Sequence, residues 1–157
     1  KDLKAVKYVC SKDFIAEHRK YISKERARRR KLEIAELKAK MKKDQSLYRK
    51  HIKPFSKIRF IEKDLVIEPI KSVKQLLDES DVLNHCAFDR GYHRKSNSLL
   101  LSARIKDVPV ETIEISLRSM DILQARGFGN VNSKFHNKIV KLVKSNLQEI
   151  QRLKKSA

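Results

Sequence analysis

The sequence contains few of the residues that build glycine-rich loops, disulfide frameworks and metal centres. Its 157 residues include three glycines, two cysteines and no tryptophan. Three scattered glycines cannot form a loop that cradles phosphates, and two cysteines far apart in the chain do not indicate a disulfide framework. The histidines and cysteines also lack the spacing of a zinc motif. We therefore expect no cofactor, no metal and a reducing compartment, the cytoplasm.

Long apolar segments are missing as well. No run approaches the roughly 18 residues that a membrane-spanning helix needs, and no secretory signal is visible, so we expect no membrane partner. A chain of 157 residues favours one domain with an appendage and is long enough to bury a real core. Because the first residue is Lys1 and not Met, we expect a fragment or a processed product.

Positive charge is what the sequence has in excess. Lys and Arg number 38 against 19 Asp and Glu, which gives a net charge of +19. Residues 1–53 hold 19 basic and 7 acidic residues and thus most of this excess. Because a strongly basic surface attracts polyanions, we predict a nucleic acid, DNA or RNA, as the partner. The charge does not define an oligomeric state.

Residues 1–53 lack glycine and proline, and their apolar residues recur at helical spacing. We predict one or two helices between about Lys12 and about Lys50, capped by Ser11. The central run Lys24–Lys31, KERARRRK, has almost no apolar face. Such a charge run is usually a solvated helix, but with few acidic residues nearby we predict that it binds a phosphate backbone. The predicted contact residues are Arg26, Arg28, Arg29 and Arg30.

Pro54 is the predicted boundary between a basic helical extension, residues 1–53, and an α+β domain, residues 54–157. Alternating apolar residues and short connections predict an antiparallel β-meander. Its strands are predicted at Ser98–Ile105, Val110–Leu117 and Met120–Arg126. Before the meander we predict two short strands ahead of Pro69 and a helix over Ser72–Asp78. An apolar segment over Val82–Phe88 and a loop over Gly91–Asn97 are predicted to follow them. A final amphipathic helix, capped by Ser133, is expected to pack on the aliphatic face of the meander.

Side chains alternate along a strand, so one face of the meander is aliphatic and the other is polar. We call the polar set the polar row; its members are Ser102, Arg104, Thr112, Glu114, Gln124 and Arg126. The row is either the solvated face of a half-buried sheet or a site whose guanidinium, amide and carboxylate groups hold a phosphate or a base edge. The use of Arg, Glu and Gln on a surface rich in Lys favours the site.

Several motifs of the α+β segment resemble the PcfJ-like proteins. They are the runs LNHC, SLLLSARI, ETIEISL and QARGFGN, with a tyrosine after the first run. The family pattern falls on His85 and Cys86, Tyr92, Arg104, Thr112 and Glu114, and Gln124, Arg126, Gly127 and Asn130. The resemblance covers about Lys57 to Ile150 and leaves out the basic amino-terminal third; Ala87 departs from it, since Val is usual there. It implies a bacterial mobile element, such as a conjugative plasmid, and implies no reaction.

His85 and Glu114 are the candidates for acid–base catalysis. Cys86 is expected in the core and not in a dyad with His85, because adjacent residues of a helix point in different directions. We expect His85 to approach Glu114 or Gln124 across a concave surface; the alternative is a buried histidine with its hydrogen bonds satisfied. Tyr92 lies in a basic loop that suits base stacking and phosphate contacts. The predicted phosphate or nucleic-acid contacts of this segment are Tyr92, Arg94, Arg104, Gln124, Arg126 and Asn130.

Three functions from different classes fit these residues. The first is a nucleic-acid-binding accessory protein of a mobile genetic element, which the charge and the resemblance favour. The second is an enzyme that acts on a nucleic acid or nucleotide through His85, Glu114 and the arginines of the polar row. The third is an assembly protein whose basic helix docks on an acidic partner. Because no spacing is diagnostic of a reaction, we prefer the first.

Overall fold

A computed structural model describes residues 13–156, apart from the side chain of Ile34. The helices in this range are α1 (Phe14–Ile52), α2 (Val73–Leu83), α3 (His136–Ser145) and α4 (Leu147–Lys155). The strands are β1 (Phe60–Glu62), β2 (Leu65–Pro69), β3 (Ser98–Ile105), β4 (Val108–Ser116) and β5 (Asp121–Arg126). The predicted α+β class is confirmed. Contacts divide the chain into two units, Lys1–Lys40 and Met41–Ala157.

Helix α1 is a single helix over the range where one or two were predicted. The predicted cap, Ser11, lies outside the described residues. In the first turn the backbone N–H of Ala16 donates to Asp13 Oδ1 at 2.9 Å, the contact of a helix N-cap. The exposed large apolar side chains of the segment up to Lys40 are Phe14, Ile15, Tyr21, Leu32 and Leu37. This segment of the helix therefore presents its charges and much of its apolar surface to solvent.

The five strands form one sheet in chain order, and each strand is antiparallel to its neighbours. The predicted meander is confirmed. Strand β3 has its predicted bounds, β4 starts two residues and ends one residue earlier than predicted, and β5 starts one residue later. Lys106 and Asp107 connect β3 to β4 with φ values of 49° and 64°. Two positive φ values are the signature of a tight hairpin turn that matches the strand twist.

A β-bulge changes the alternation along β5. The register of β4 and β5 shifts between Glu114 and Ile115, and such a shift moves side chains to the other face. Leu123, which simple alternation places on the aliphatic face, is 57% exposed, while Ile122 packs against the core. The prediction for these two residues was therefore wrong.

The aliphatic face of the sheet shares one core with the C-terminal helices, as predicted. The fully buried residues of this contact are Ile113, Ile115, Ile139, Val143 and Ile150. Two helices occur where one was predicted, because Asn146 leaves the helical conformation (φ −111°, ψ 7°) and its amide donates to the Leu142 carbonyl at 2.7 Å. Helix α3 begins at His136 with Phe135 as its N-cap, so the prediction that Ser133 caps it was wrong. The Ser133 Oγ instead accepts the N–H of Phe135 at 3.1 Å, in the turn before the helix.

Helix α2 lies on the opposite face of the sheet. Ser72 is its N-cap, and the helix continues to Leu83 instead of ending at Asp78. It ends there because Asn84 adopts the left-handed conformation (φ 49°, ψ 52°). His85 and Cys86 therefore lie in an irregular segment after α2, and the expectation that His85 lies on a helix was wrong. A small second core on this face consists of Ile70, Leu76, Ala87 and Leu100.

Pro54 lies in a 3-10 turn, Lys53–Phe55, directly after α1. Tyr48 and Ile52 from the last turns of α1, and Phe55 after them, are buried in the main core of the Met41–Ala157 unit. The last turns of α1 therefore pack with the residues that follow them. The division into a basic extension of residues 1–53 and an α+β domain of residues 54–157 stays a prediction.

Candidate functional site

A cavity of about 200 Å³ opens on the polar face of the sheet, and we call it the sheet-face cavity. Its lining residues are His85, Cys86, Ala87, Arg90, Tyr92, Leu100, Thr112, Glu114, Gln124, Arg126 and Asn130. It brings together six of the predicted site residues, which are His85, Tyr92, Glu114, Gln124, Arg126 and Asn130. The cavity thus combines side chains of three strands with those of the segment after α2.

Strand register explains the floor of the cavity. Thr112 pairs with Arg126, and Glu114 pairs with Gln124 across β4 and β5. Neighbouring strands lie about 4.8 Å apart, and paired residues point to the same face. Side chains predicted to share a face by alternation alone are therefore direct neighbours.

The turn after β5 explains the glycine and the asparagine of the Gln-x-Arg-Gly-x-x-Asn motif. A Cβ on Gly127 would stand 2.7 Å from the carbonyl oxygen of Val110, so the close approach of the two backbones requires glycine. The N–H of Asn130 donates to the Gly127 carbonyl at 3.1 Å. Asn130 itself has a φ of 64°, in the left-handed region that Asn tolerates better than most residues. This turn places Asn130 at the cavity.

Glu114 is buried and accepts three hydrogen bonds. Lys95 Nζ and Ser98 Oγ each donate to Oε1 at 2.7 Å, and Gln124 Nε2 donates to Oε2 at 2.8 Å. Both carboxylate oxygens are thus engaged by neighbouring side chains. In this arrangement Glu114 fixes the positions of Lys95 and Gln124, and a catalytic role for it stays a prediction.

His85 contacts Thr112, so the expected contact with Glu114 or Gln124 was wrong. Its Nε2 lies 2.9 Å from Thr112 Oγ1, and the Thr112 hydroxyl donates to Glu79 Oε1 at 2.6 Å. While Glu79 is ionised, Thr112 can only accept from His85, which assigns the proton to Nε2 and the lone pair to Nδ1. Burial lowers the pKa of His85 and favours the neutral ring. Nδ1 accepts the backbone N–H of Ala87 at 3.5 Å, so His85 acts as a general base only when a substrate proton replaces this long contact.

Glu79 is a residue of this network that sequence reasoning missed. It is 2% exposed and accepts from Ser102 Oγ at 2.5 Å and from Thr112 Oγ1 at 2.6 Å. Burial raises the pKa of Glu79, and the two hydroxyls and Arg104 oppose that rise. A signal was present in the sequence, because Glu79 lies at helical spacing from Val73, Leu76 and Leu83 on the buried side of α2.

Two predicted phosphate contacts do not line the sheet-face cavity. Arg104 Nε donates to Ser102 Oγ at 3.1 Å, and its Nη2 lies 3.7 Å from Glu79 Oε2. Arg94 donates to Asp44 Oδ2 from Nε at 3.0 Å and from Nη2 at 2.7 Å, and this contact lowers the pKa of Asp44. Arg104 therefore belongs to the buried network below α2, and Arg94 joins the Gly91–Asn97 loop to α1.

Tyr92 forms part of the cavity wall and already has a cation on its ring. Lys95 Nζ lies 3.8 Å from the ring centroid, an attractive cation–π geometry. A base can stack on that ring face only if Lys95 moves. The half-buried Tyr92 therefore serves as an apolar wall in this arrangement, and base stacking on it stays a prediction.

The predicted contact residues of α1 are exposed. Among residues 13–40, the one acid–base pair within 4.0 Å is Arg29 Nε with Glu25 Oε1, at 3.9 Å. Ion pairs on an exposed helix contribute little, about 0.3–0.5 kcal/mol. The charges of the other three residues, Arg26, Arg28 and Arg30, have no carboxylate partner within that described segment.

Metal clusters and membrane spans are both absent from the described part of the chain. Within residues 13–156, no three His, Cys, Asp or Glu side chains come together as a metal site would require. In the same range no helix combines the length and the apolar character of a membrane span.

Fold and site together define a basic α+β protein with a polar cavity on an antiparallel sheet. The model of the PcfJ-like protein family matches residues 1–141, and the chain therefore belongs to this family. The match includes the basic amino-terminal third, so confining the resemblance to about residues 57–150 was wrong. No curated protein and no solved structure matches the chain.

Proposed function

We propose that this PcfJ-like protein binds nucleic acid as an accessory protein of a bacterial mobile genetic element, in the cytoplasm. The observation that carries the proposal is the exposed run Lys24–Lys31, where Arg26, Arg28 and Arg30 lack a carboxylate partner within residues 13–40. The mobile-element context is what the family resemblance implies. DNA and RNA share the phosphate backbone that this run recognises.

Electrostatics makes such a run suitable for a phosphate backbone. Each Lys or Arg that neutralises a phosphate releases condensed counterions, and this release supplies affinity that does not depend on sequence. Because these arginines are exposed before binding, little desolvation opposes the contact. The net charge of +19 adds long-range attraction of any polyanion.

The test compares two variants with the same net charge. In one, Arg26, Arg28, Arg29 and Arg30 are replaced by Gln; in the control, four exposed lysines in and next to α3 are replaced, which are Lys134, Lys138, Lys141 and Lys144. Fluorescence anisotropy with labelled DNA and RNA at about 50 mM salt should show a loss of about tenfold or more for the first variant only. No binding by the unmodified protein would contradict the proposal and favour docking on an acidic protein.

A second candidate function is an enzyme acting on a nucleic acid or nucleotide. The observation that favours it is the neutral His85, held by Thr112 and Glu79, in a cavity with two arginines, Arg90 and Arg126. His85 Nδ1 would exchange its 3.5 Å contact with the Ala87 N–H for the proton of an attacking hydroxyl, while the arginines offset phosphate charge. Product analysis of RNA and DNA after incubation should show cleavage that His85→Gln abolishes and that His18→Gln, at an exposed histidine, preserves.

A further inference from the structure

The volume of the sheet-face cavity limits which part of a nucleic acid can enter it. Its volume of about 200 Å³ is below the roughly 300–1,000 Å³ of pockets that enclose drug-sized ligands. A base inside a duplex reaches such a cavity only after it is unpaired and flipped out of the stack, which costs free energy. An unpaired nucleotide of a single strand enters without that cost.

The charge at the cavity suits a phosphate. Arg90 is exposed and forms no ion pair among residues 13–156. Arg126 is exposed too, and its Nη1 donates to the neutral amide oxygen of Asn132 at 2.8 Å, so its positive charge is not neutralised. The lining carboxylate, Glu114, is buried and paired with Lys95 at 2.7 Å. The two guanidinium groups therefore provide donors for an anionic oxygen of the ligand.

The remaining lining groups suit a base. The Gln124 amide nitrogen donates to Glu114, so the amide oxygen is available as an acceptor for a ligand. His85 Nδ1 accepts the backbone N–H of Ala87 at 3.5 Å, a long contact that a ligand donor can replace. Ala87 and Leu100 add apolar surface. A nucleobase has donors and acceptors on its edge and apolar faces, and in a single strand these edges are free.

We propose that the sheet-face cavity takes one unpaired nucleotide of a single strand, with its phosphate on Arg90 and Arg126. This inference rests on the proposed nucleic-acid binding and deepens it. The run Lys24–Lys31 contacts only phosphates and does not read unpaired bases, so a preference for single strands must come from the cavity.

Separate titrations with a single strand and with a duplex test this preference. The full chain is titrated with a labelled oligonucleotide, once as a single strand and once as a duplex with its complement. Single-strand affinity should exceed duplex affinity by about tenfold. The pair Arg90→Gln and Arg126→Gln should abolish that ratio, whereas the control pair Arg118→Gln and Arg152→Gln, at exposed arginines that do not line the cavity, should keep it.

A chemical footprint locates the contact. Cys86 lines the cavity and is partly accessible, so the expectation that it lies in the core was wrong. In a Cys10→Ser background it is the one remaining thiol of the chain. At equal occupancy, a single strand should slow the alkylation of Cys86 by N-ethylmaleimide by about fivefold or more, and a duplex should not, because a base seated in the cavity covers the thiol. Equal rates with the two ligands would overturn the inference.

The two proposals fail in different ways. Equal affinity for single strand and duplex in the unmodified protein overturns the cavity inference and leaves the proposed binding by α1 intact. No affinity for either strand type at low salt overturns both. If the cavity pair and the control pair lose the single-strand preference equally, the inference is also overturned, because net charge alone then explains the preference.

Discussion

The segment of α1 up to Lys40 and the polar face of the sheet both carry many charged residues, but the charges have different surroundings. In the first, the exposed arginines have one distant partner, the Arg29–Glu25 pair at 3.9 Å. In the second, buried carboxylates accept several hydrogen bonds each, as Glu79 and Glu114 do. Paired, buried charge contributes to the fold, and exposed, unpaired charge is available to a ligand.

Sequence composition alone does not distinguish charges that contribute to the fold from charges that are available to a ligand. Glu25 and Glu79 are both helical glutamates, and both have basic neighbours within reach. Only burial distinguishes them, and burial follows from which face of each helix meets the core. A comparison of matched substitutions in the two regions therefore tests whether the assignment is correct.

The largest expected effect is on stability in the sheet region. Glu79→Ala leaves two buried hydroxyls without their acceptor and Arg104 without its ion-pair partner, and breaking a buried charge network costs about 3–5 kcal/mol. The matched change Glu25→Ala removes one long, exposed pair and should cost under about 0.5 kcal/mol. Urea unfolding followed by circular dichroism measures both. Similar costs for the two variants would show that the two regions do not differ.

A smaller effect is expected in the pH dependence of stability. Burial raises the pKa of Glu79 above its usual 4.5, so the folded protein binds this proton more readily than the unfolded chain does. The resulting stability is fully present below the usual pKa and is lost as the pH rises through the folded-state value.

Glu79→Gln removes this titration and keeps the side-chain shape. The unfolding free energy of the unmodified protein minus that of the variant should therefore fall as the pH rises above the usual pKa of 4.5. Urea unfolding at several pH values measures the difference, in which titrations common to both proteins cancel. A difference that rises with pH would mean that hydrogen bonds to the carboxylate outweigh its burial.

Much of the fold was predictable because local patterns determine it. Period-two alternation and short connections predict β3, β4 and β5, and helical periodicity predicts α1. The errors lie where one residue interrupts a pattern. Asn84 ends α2 in a left-handed conformation, Asn146 divides the last helix, and a bulge beyond Glu114 exposes Leu123. Such interruptions depend on tertiary packing and leave little trace in a periodicity.

The sequence predicts which residues line the candidate site better than it predicts which of them contact each other. Alternation places Thr112, Glu114, Gln124 and Arg126 on one face, and they line one cavity. The partner of His85 depends on the turn after α2, and the role of Glu79 depends on which side of α2 meets the sheet. Both are long-range contacts, which sequence spacing alone does not specify.

The central claim, that Lys24–Lys31 binds a nucleic-acid backbone, is tested most directly by the salt dependence of binding. The affinity for duplex DNA is measured between about 50 and 200 mM salt for the unmodified protein, the four-arginine α1 variant and the four-lysine α3 control. The slope of log affinity against log salt should become flatter by up to about 0.9 for each phosphate that the α1 variant no longer neutralises, and should stay unchanged in the control. An unchanged slope in the α1 variant, or equal flattening in both variants, would contradict the claim.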